Sequence, residues 1–139
     1  MNHRWLIAHL HDALLRGVSV EIIIPKETDH WVVDRINRHF LSELNKLGAK
    51  CYITPMMNHA KAVLIDRKEG LVGSNNLDAL SFDWNIEAGI FFNDERMTAD
   101  LAQIIDEWKT EGKTFESSAL SRWYDPFIVI FLGMFRSVL

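Results

Sequence analysis

Residues 59–76 read HAKAVLIDRKEGLVGSNN. Two short runs rich in Val, Leu and Ile stand back to back in it, HAKAVLID and EGLVGSNN, and each reads as a strand. The second closes in a polar turn. Side chains alternate faces along a strand, so His59 and Lys61 point at one spot. Asp66 has the opposite parity in a regular strand and reads as a supporting group set away from that spot. Ser74 and Asn76 share a parity with each other and offer a hydroxyl and an amide beside His59 and Lys61. Asn85 and Glu87 repeat the pattern in the next β-rich run, NIEAGIFF.

Working outward, residues 3–16 have helical spacing at Leu6, Leu10, Ala13 and Leu14, with Gly17 as a stop. VSVEIIIP reads as a buried parallel strand closed by Pro25. Asp29 is placed to cap a helix over 30–47, whose apolar face carries Val33, Ile36, Phe40, Leu44 and Leu47. Gly48 ends it. AKCYIT is a further strand, stopped by Pro55. Residues 97–112 form a helix with Leu101, Ile104, Ile105 and Trp108 on one side. The order helix, strand, helix, strand, then strands in quick succession, predicts an α/β layer fold with a mixed sheet. The chain opens on a helix, so the sheet is expected to lack an opening strand, as in a piece of a longer protein. The expected organisation is one domain over 1–113 and an apolar extension over 114–139.

The 139 residues suit one ordinary domain, and 48% apolar content is enough for a core. A formal net charge of −4 gives polyanions no general attraction, so extended nucleic-acid contact is disfavoured. Arg35, Arg38 and Lys46 read as a solvated helix face. Cys51 is the single cysteine; it allows no internal disulfide and no thiolate metal cage, and in AKCYIT it reads as a small buried residue. His3, His9, His11, His30 and His39 have no metal-ligand spacing. The N-terminus is expected to be no signal peptide, since His3, Arg4, His9, His11 and Asp12 interrupt its apolar residues. PFIVIFLGMF, 126–135, is the most apolar run but too short to span a bilayer. It reads as a core or partner-facing segment. The rival reading is a membrane-surface anchor flanked by Trp123, Tyr124 and Arg136.

A phosphodiester gathers negative charge on its oxygens during displacement. Lys61 supplies a cation where that charge grows, and Ser74 and Asn76 can donate to the same oxygens. Imidazole is nucleophilic at neutral pH, and a carboxylate on its other nitrogen fixes the tautomer. Glu87 is the first choice for that carboxylate and Asp66 the second. Singly, each residue has an ordinary explanation: a polar strand start, an edge lysine, a Gly-Ser-Asn turn, an edge charge. Their joint order and spacing favour the chemical reading. Asp78 and Ser81 read as supports of the following loop, Trp31 and Trp84 as packing residues.

H-x-K-x4-D at His59, Lys61 and Asp66, followed by G-S-x-N at Gly73, Ser74 and Asn76 and by N-x-E at Asn85 and Glu87, resembles the signature of the phospholipase D superfamily. The likeness covers residues 10 to 95, and the wider flow of the sequence resembles the second half of bacterial cardiolipin synthases. The resemblance implies a phospholipase D-like α/β/α fold and a two-step displacement without metal or organic cofactor. One histidine attacks phosphorus to form a phosphohistidine, the histidine of a second motif protonates the leaving group, and an alcohol or water resolves the intermediate. In cardiolipin synthases of this type a phosphatidyl group passes from one phosphatidylglycerol to another.

Carried onto this chain, the resemblance implies catalytic roles for His59, Lys61, Asp66 and Glu87, and phosphate binding by Lys61, Ser74 and Asn76. His59 would be general acid in the second half of a two-motif enzyme and either nucleophile or acid in a symmetric dimer. Glu87 orients it, and Asp66 is supportive. Family sites use two motifs, whereas this chain has one. The second is expected from a homodimer or from a missing N-terminal domain, unless the chain is an inactive partner-binding half. The implied partner is a phosphatidylglycerol-like phospholipid at the cytoplasmic side of a membrane, or in the cytoplasm; the rival substrate is nucleic acid cleaved by a homodimeric single-motif nuclease.

Overall fold

A computed structural model of the chain describes residues 2–26, 31–56, 58–74 and 86–116. The elements run α1 (Asn2–Leu15), β1 (Glu21–Pro25), α2 (Trp31–Lys46), β2 (Lys50–Thr54), β3 (Lys61–Ile65), β4 (Glu69–Gly73), β5 (Gly89–Phe92), α3 (Glu95–Glu111) and β6 (Lys113–Thr114). The helices expected from periodicity are all present, with ends shifted by one or two residues. Asp29, Asn76, Asp78, Ser81, Trp84, Asn85 and the run 126–135 lie outside the described residues.

The strands form two three-stranded sheets, β1-β2-β6 and β3-β4-β5. The first is mixed: β1 runs parallel to β2, Glu21 beside Lys50, while β6 is antiparallel, Tyr52 beside Thr114. The second is wholly antiparallel. α1 and α2 cover one face of the first sheet. Leu41 and Leu44 of α2 join Ala49, Cys51 and Phe115 in a buried cluster, against which Ile7, Leu10 and Leu14 of α1 and Ile22, Ile24 and Ile53 of the strands pack. Each such buried side chain contributes roughly 1.5–3 kcal/mol. α3 lies against the other face, where Lys109 bonds Glu21 and sits 5.8 Å from the Tyr52 ring centre. That makes an α/β/α arrangement.

Two sequence expectations about core positions need correction. Leu47 is exposed in the turn that follows α2, and Leu41 joins Leu44 in the core. Ile104 of α3 is likewise exposed, while Thr98, Leu101 and Ala102 are buried. β6 and Phe115 follow α3 directly: Phe115 N–H donates to Cys51 O at 2.8 Å and Phe115 is buried in the core.

Candidate active site

The β3–β4 hairpin positions the motif. Lys68 N–H donates to Ile65 O at 2.9 Å across its turn, with Asp66 and Arg67 at φ 50° and 55°. Two successive residues in the left-handed region match a type I′ turn, and Asp tolerates that conformation better than most residues. Asp66 therefore closes the hairpin at one end while His59 precedes β3 at the other. A strand rises about 3.3 Å per residue, so the two stand roughly 20 Å apart. The structure places Asp66 in the turn, away from His59 and Lys61.

At the other end, Lys61, Gly73 and Gly89 form one row across the sheet. Counting back two residues along each outer strand reaches His59 and Glu87, on the same face as Lys61. The Lys61 ammonium lies 2.8 Å from His59 Nδ1 and 3.2 Å from Nε2, and donates to His59 O at 2.7 Å. An ammonium has only donors, so the ring nitrogen that takes its hydrogen bond presents a lone pair. The predicted His59–Lys61 pairing is thus a direct contact.

Gly73 and Gly89 leave the middle of the row without side chains. At Gly73 an added Cβ would come within 2.7 Å of Ala88 O and 2.9 Å of the Gly89 Cα, so the β4–β5 approach itself excludes larger residues. The row is a flat floor beside a lysine. Gly89 was not among the expected site residues; its parity with Glu87 and Lys61 is the signal that marks it.

Ser74 donates its hydroxyl hydrogen bond to Glu87 Oε2 and accepts from Ala88 N–H at 3.1 Å. Its own N–H goes to Ala88 O at 2.9 Å. Both of its donors are engaged across the β4–β5 pair, and its hydroxyl holds Glu87. His59 and Ser74 are exposed, and Lys61 and Glu87 half-buried. Among the described residues, no three His, Cys, Asp or Glu side chains converge as a metal site. A groove also lies away from this site, between the hairpin turn and α3, lined by Arg67, Lys68, Asp106 and neighbours.

Comparison with known proteins agrees with this geometry. Residues 1–109 match the family described as "Cardiolipin synthase, PLD-like domain". Cardiolipin synthase A of Yersinia pseudotuberculosis (strain IP 31758) and of Yersinia pestis are each 40% identical over 97 residues. That stretch is 69% of this chain but 20% of either relative, so the chain spans about a fifth of their length. The crystal structure of Nuc, a phospholipase D family member from Salmonella typhimurium, superposes with a TM-score of 0.65 at 18% identity, over 79% of this chain and 72% of that one. It supports the fold. The paired His59 and Lys61, the hairpin beneath them and the match over residues 1–109 place this chain in the PLD-like domain family of the cardiolipin synthases.

Proposed function

We propose that the chain supplies one wall of a phospholipase D-type site that transfers a phosphatidyl group between phosphatidylglycerol-like lipids. The carrying observation is the contact between Lys61 and His59 beside the glycine floor. A second copy of the chain, or a second polypeptide half with its own motif, supplies the other imidazole. One of the two imidazole nitrogens attacks phosphorus while the P–O bond to glycerol breaks. The departing oxygen takes a proton from the other imidazolium. The acceptor hydroxyl then gives its proton back to that second imidazole and forms the new P–O bond, which frees the phosphorylated histidine.

Lys61, beside His59, bonds the phosphoryl oxygens of bound substrate, where a cation already in place lowers the barrier as their charge grows. Glu87, held by Ser74, is the carboxylate on hand to orient His59. The glycine row admits a phosphate to within reach of both. A bilayer substrate places the work at a membrane surface, with the chain peripheral on the cytoplasmic side. The test is incubation with phosphatidylglycerol vesicles at concentrations where the protein is verified as a dimer. Cardiolipin or phosphatidic acid should form, and His59→Ala should abolish it. No product from the dimeric wild type would overturn the reading in which a second copy supplies the other imidazole.

A further inference from the structure

Gly70, Gly73 and Gly89 all stand in the strands of the sheet that carries His59 and Lys61, and they are glycine for different reasons. At Gly70 an added Cβ would overlap the Phe92 ring. At Gly73 it would meet the β5 backbone, 2.7 Å from Ala88 O. At Gly89 it would stand 3.4 Å from Leu71 Cδ1 and from Val72 O, and 3.7 Å from the Gly73 Cα, which are ordinary contacts. Nor does Gly89 have a positive φ; among the described glycines Gly17 and Gly48 do. The fold therefore has room for a side chain at Gly89 and no conformational need for glycine.

Glycine in a strand still weakens it, through backbone entropy and lost packing, and often marks a close approach by another backbone or by a ligand. Another backbone accounts for Gly73. For Gly89, which is exposed, what remains is the face above it. That face carries Lys61 in the same row, Glu87 two residues before Gly89, and His59 two residues before Lys61. Two strand spacings, roughly 10 Å, separate the Lys61 and Gly89 backbones, with only the bare Gly73 between them. A phosphoryl group bonded by Lys61 and close to His59 stands at one end of this gap. An ester substituent extended along the row lies over Gly89.

We propose that Gly89 is a specificity-determining position, whose missing side chain is the space for an alcohol-derived group of the phosphodiester, glyceryl in size. A valine side chain at this position would fill that space and favour smaller groups. The proposal rests on the phosphodiester reading of the His59 site, and not on the lipid nature of the substrate. It concerns which group bonded to phosphorus is admitted and adds no chemical step.

The test titrates the full chain, Gly89→Ala and Gly89→Val with inorganic phosphate and, separately, with glycerophosphoglycerol, a soluble diester with glyceryl on both sides of phosphorus. Backbone amide NMR shifts are the readout. Both ligands should move the Lys61 and Gly73 amides of the unaltered chain, and the diester should also move Gly89. Affinity for the diester relative to phosphate should fall stepwise from glycine to alanine to valine, by about tenfold or more in all. The melting temperature of Gly89→Ala should match or exceed that of the unaltered chain, since a strand position with room for a methyl gains by losing glycine.

Equal diester-to-phosphate ratios in the three proteins, or a diester that leaves Gly89 unmoved, would overturn the proposal while the phosphodiester site stands. Gly89→Ala failing to fold would overturn it too, because the fold itself would then demand glycine. Silence of all three amides with both ligands would remove the phosphodiester site, and the proposal with it.

Discussion

The two sheets live under different conditions. β1-β2-β6 is closed between helices, with Cys51 fully buried and Leu41, Leu44 and Phe115 nearly so. β3-β4-β5 shows apolar side chains on both faces: Val63, Ile65, Leu71 and Phe91 on the Lys61 side, Val72 and Ile90 on the other, each at least 40% exposed. Burial is concentrated in the first sheet, and the proposed chemistry in the second. The sheet that carries His59 and Lys61 is therefore the less buried of the two.

The widest separation should come from His59→Ala. Removing the imidazole should cut phosphatidyl transfer at least about a thousandfold. Thermal unfolding should stay where it was, because His59 is exposed and outside the buried cluster. A matched loss of melting temperature would show that the two sheets are not divided in this way.

Next come two leucine truncations read by urea denaturation. Leu41→Ala, in the closed sheet's cluster, should cost about 2–5 kcal/mol through lost burial and the cavity left behind. Leu71→Ala, 41% exposed on the open sheet, should cost well under half as much. Equal costs would mean that something covers Leu71 in solution.

These contrasts are partly legible in the sequence. The hairpin is, since alternation at His59, Lys61 and Val63 and the turn at Asp66 and Arg67 are local. The helices are, from their spacing. Leu41 against Leu47 is not, because where α2 ends and which leucines meet the sheet are settled only once the helix is docked. β6 escapes too: two residues, Lys113 and Thr114, have no pattern of their own and become a strand through Tyr52 and Ile53. At the site, the meeting of His59 with Lys61 follows from parity. The holding of Glu87 by Ser74 does not, since it depends on β4 and β5 being paired in one register.

A third effect belongs to the closed sheet alone. Burial pushes the Cys51 thiol up to about 11, from 9.0. The folded state therefore favours the neutral thiol, and its contribution is fully present below pH 9. Between pH 9 and 11 the unfolded chain ionises first and stability falls. The urea midpoint of the wild type should drop across that window more steeply than that of Cys51→Ala. Parallel slopes would mean that the thiol is not shielded in solution.

The smallest effect lies where the two sheets meet α3. Arg67 in the hairpin turn bonds Asp106 at 2.6 Å, Asp106 lies 3.4 Å from Lys109, and Lys109 bonds Glu21 of β1 at 2.6 Å. This chain of charges links the open sheet to the closed one through a single helix. The Arg67 hydrogen bond holds the Asp106 carboxyl below its ordinary range, so its contribution is present above that range and fades as pH falls through the lowered value. The groups are solvent-exposed, so water and salt screen them. Asp106→Asn should lower the melting temperature slightly at neutral pH and low salt, and the difference from wild type should vanish in molar salt or in acid. A difference that persists under both conditions would show that Asp106 acts through packing, and that the link between the sheets is not ionic.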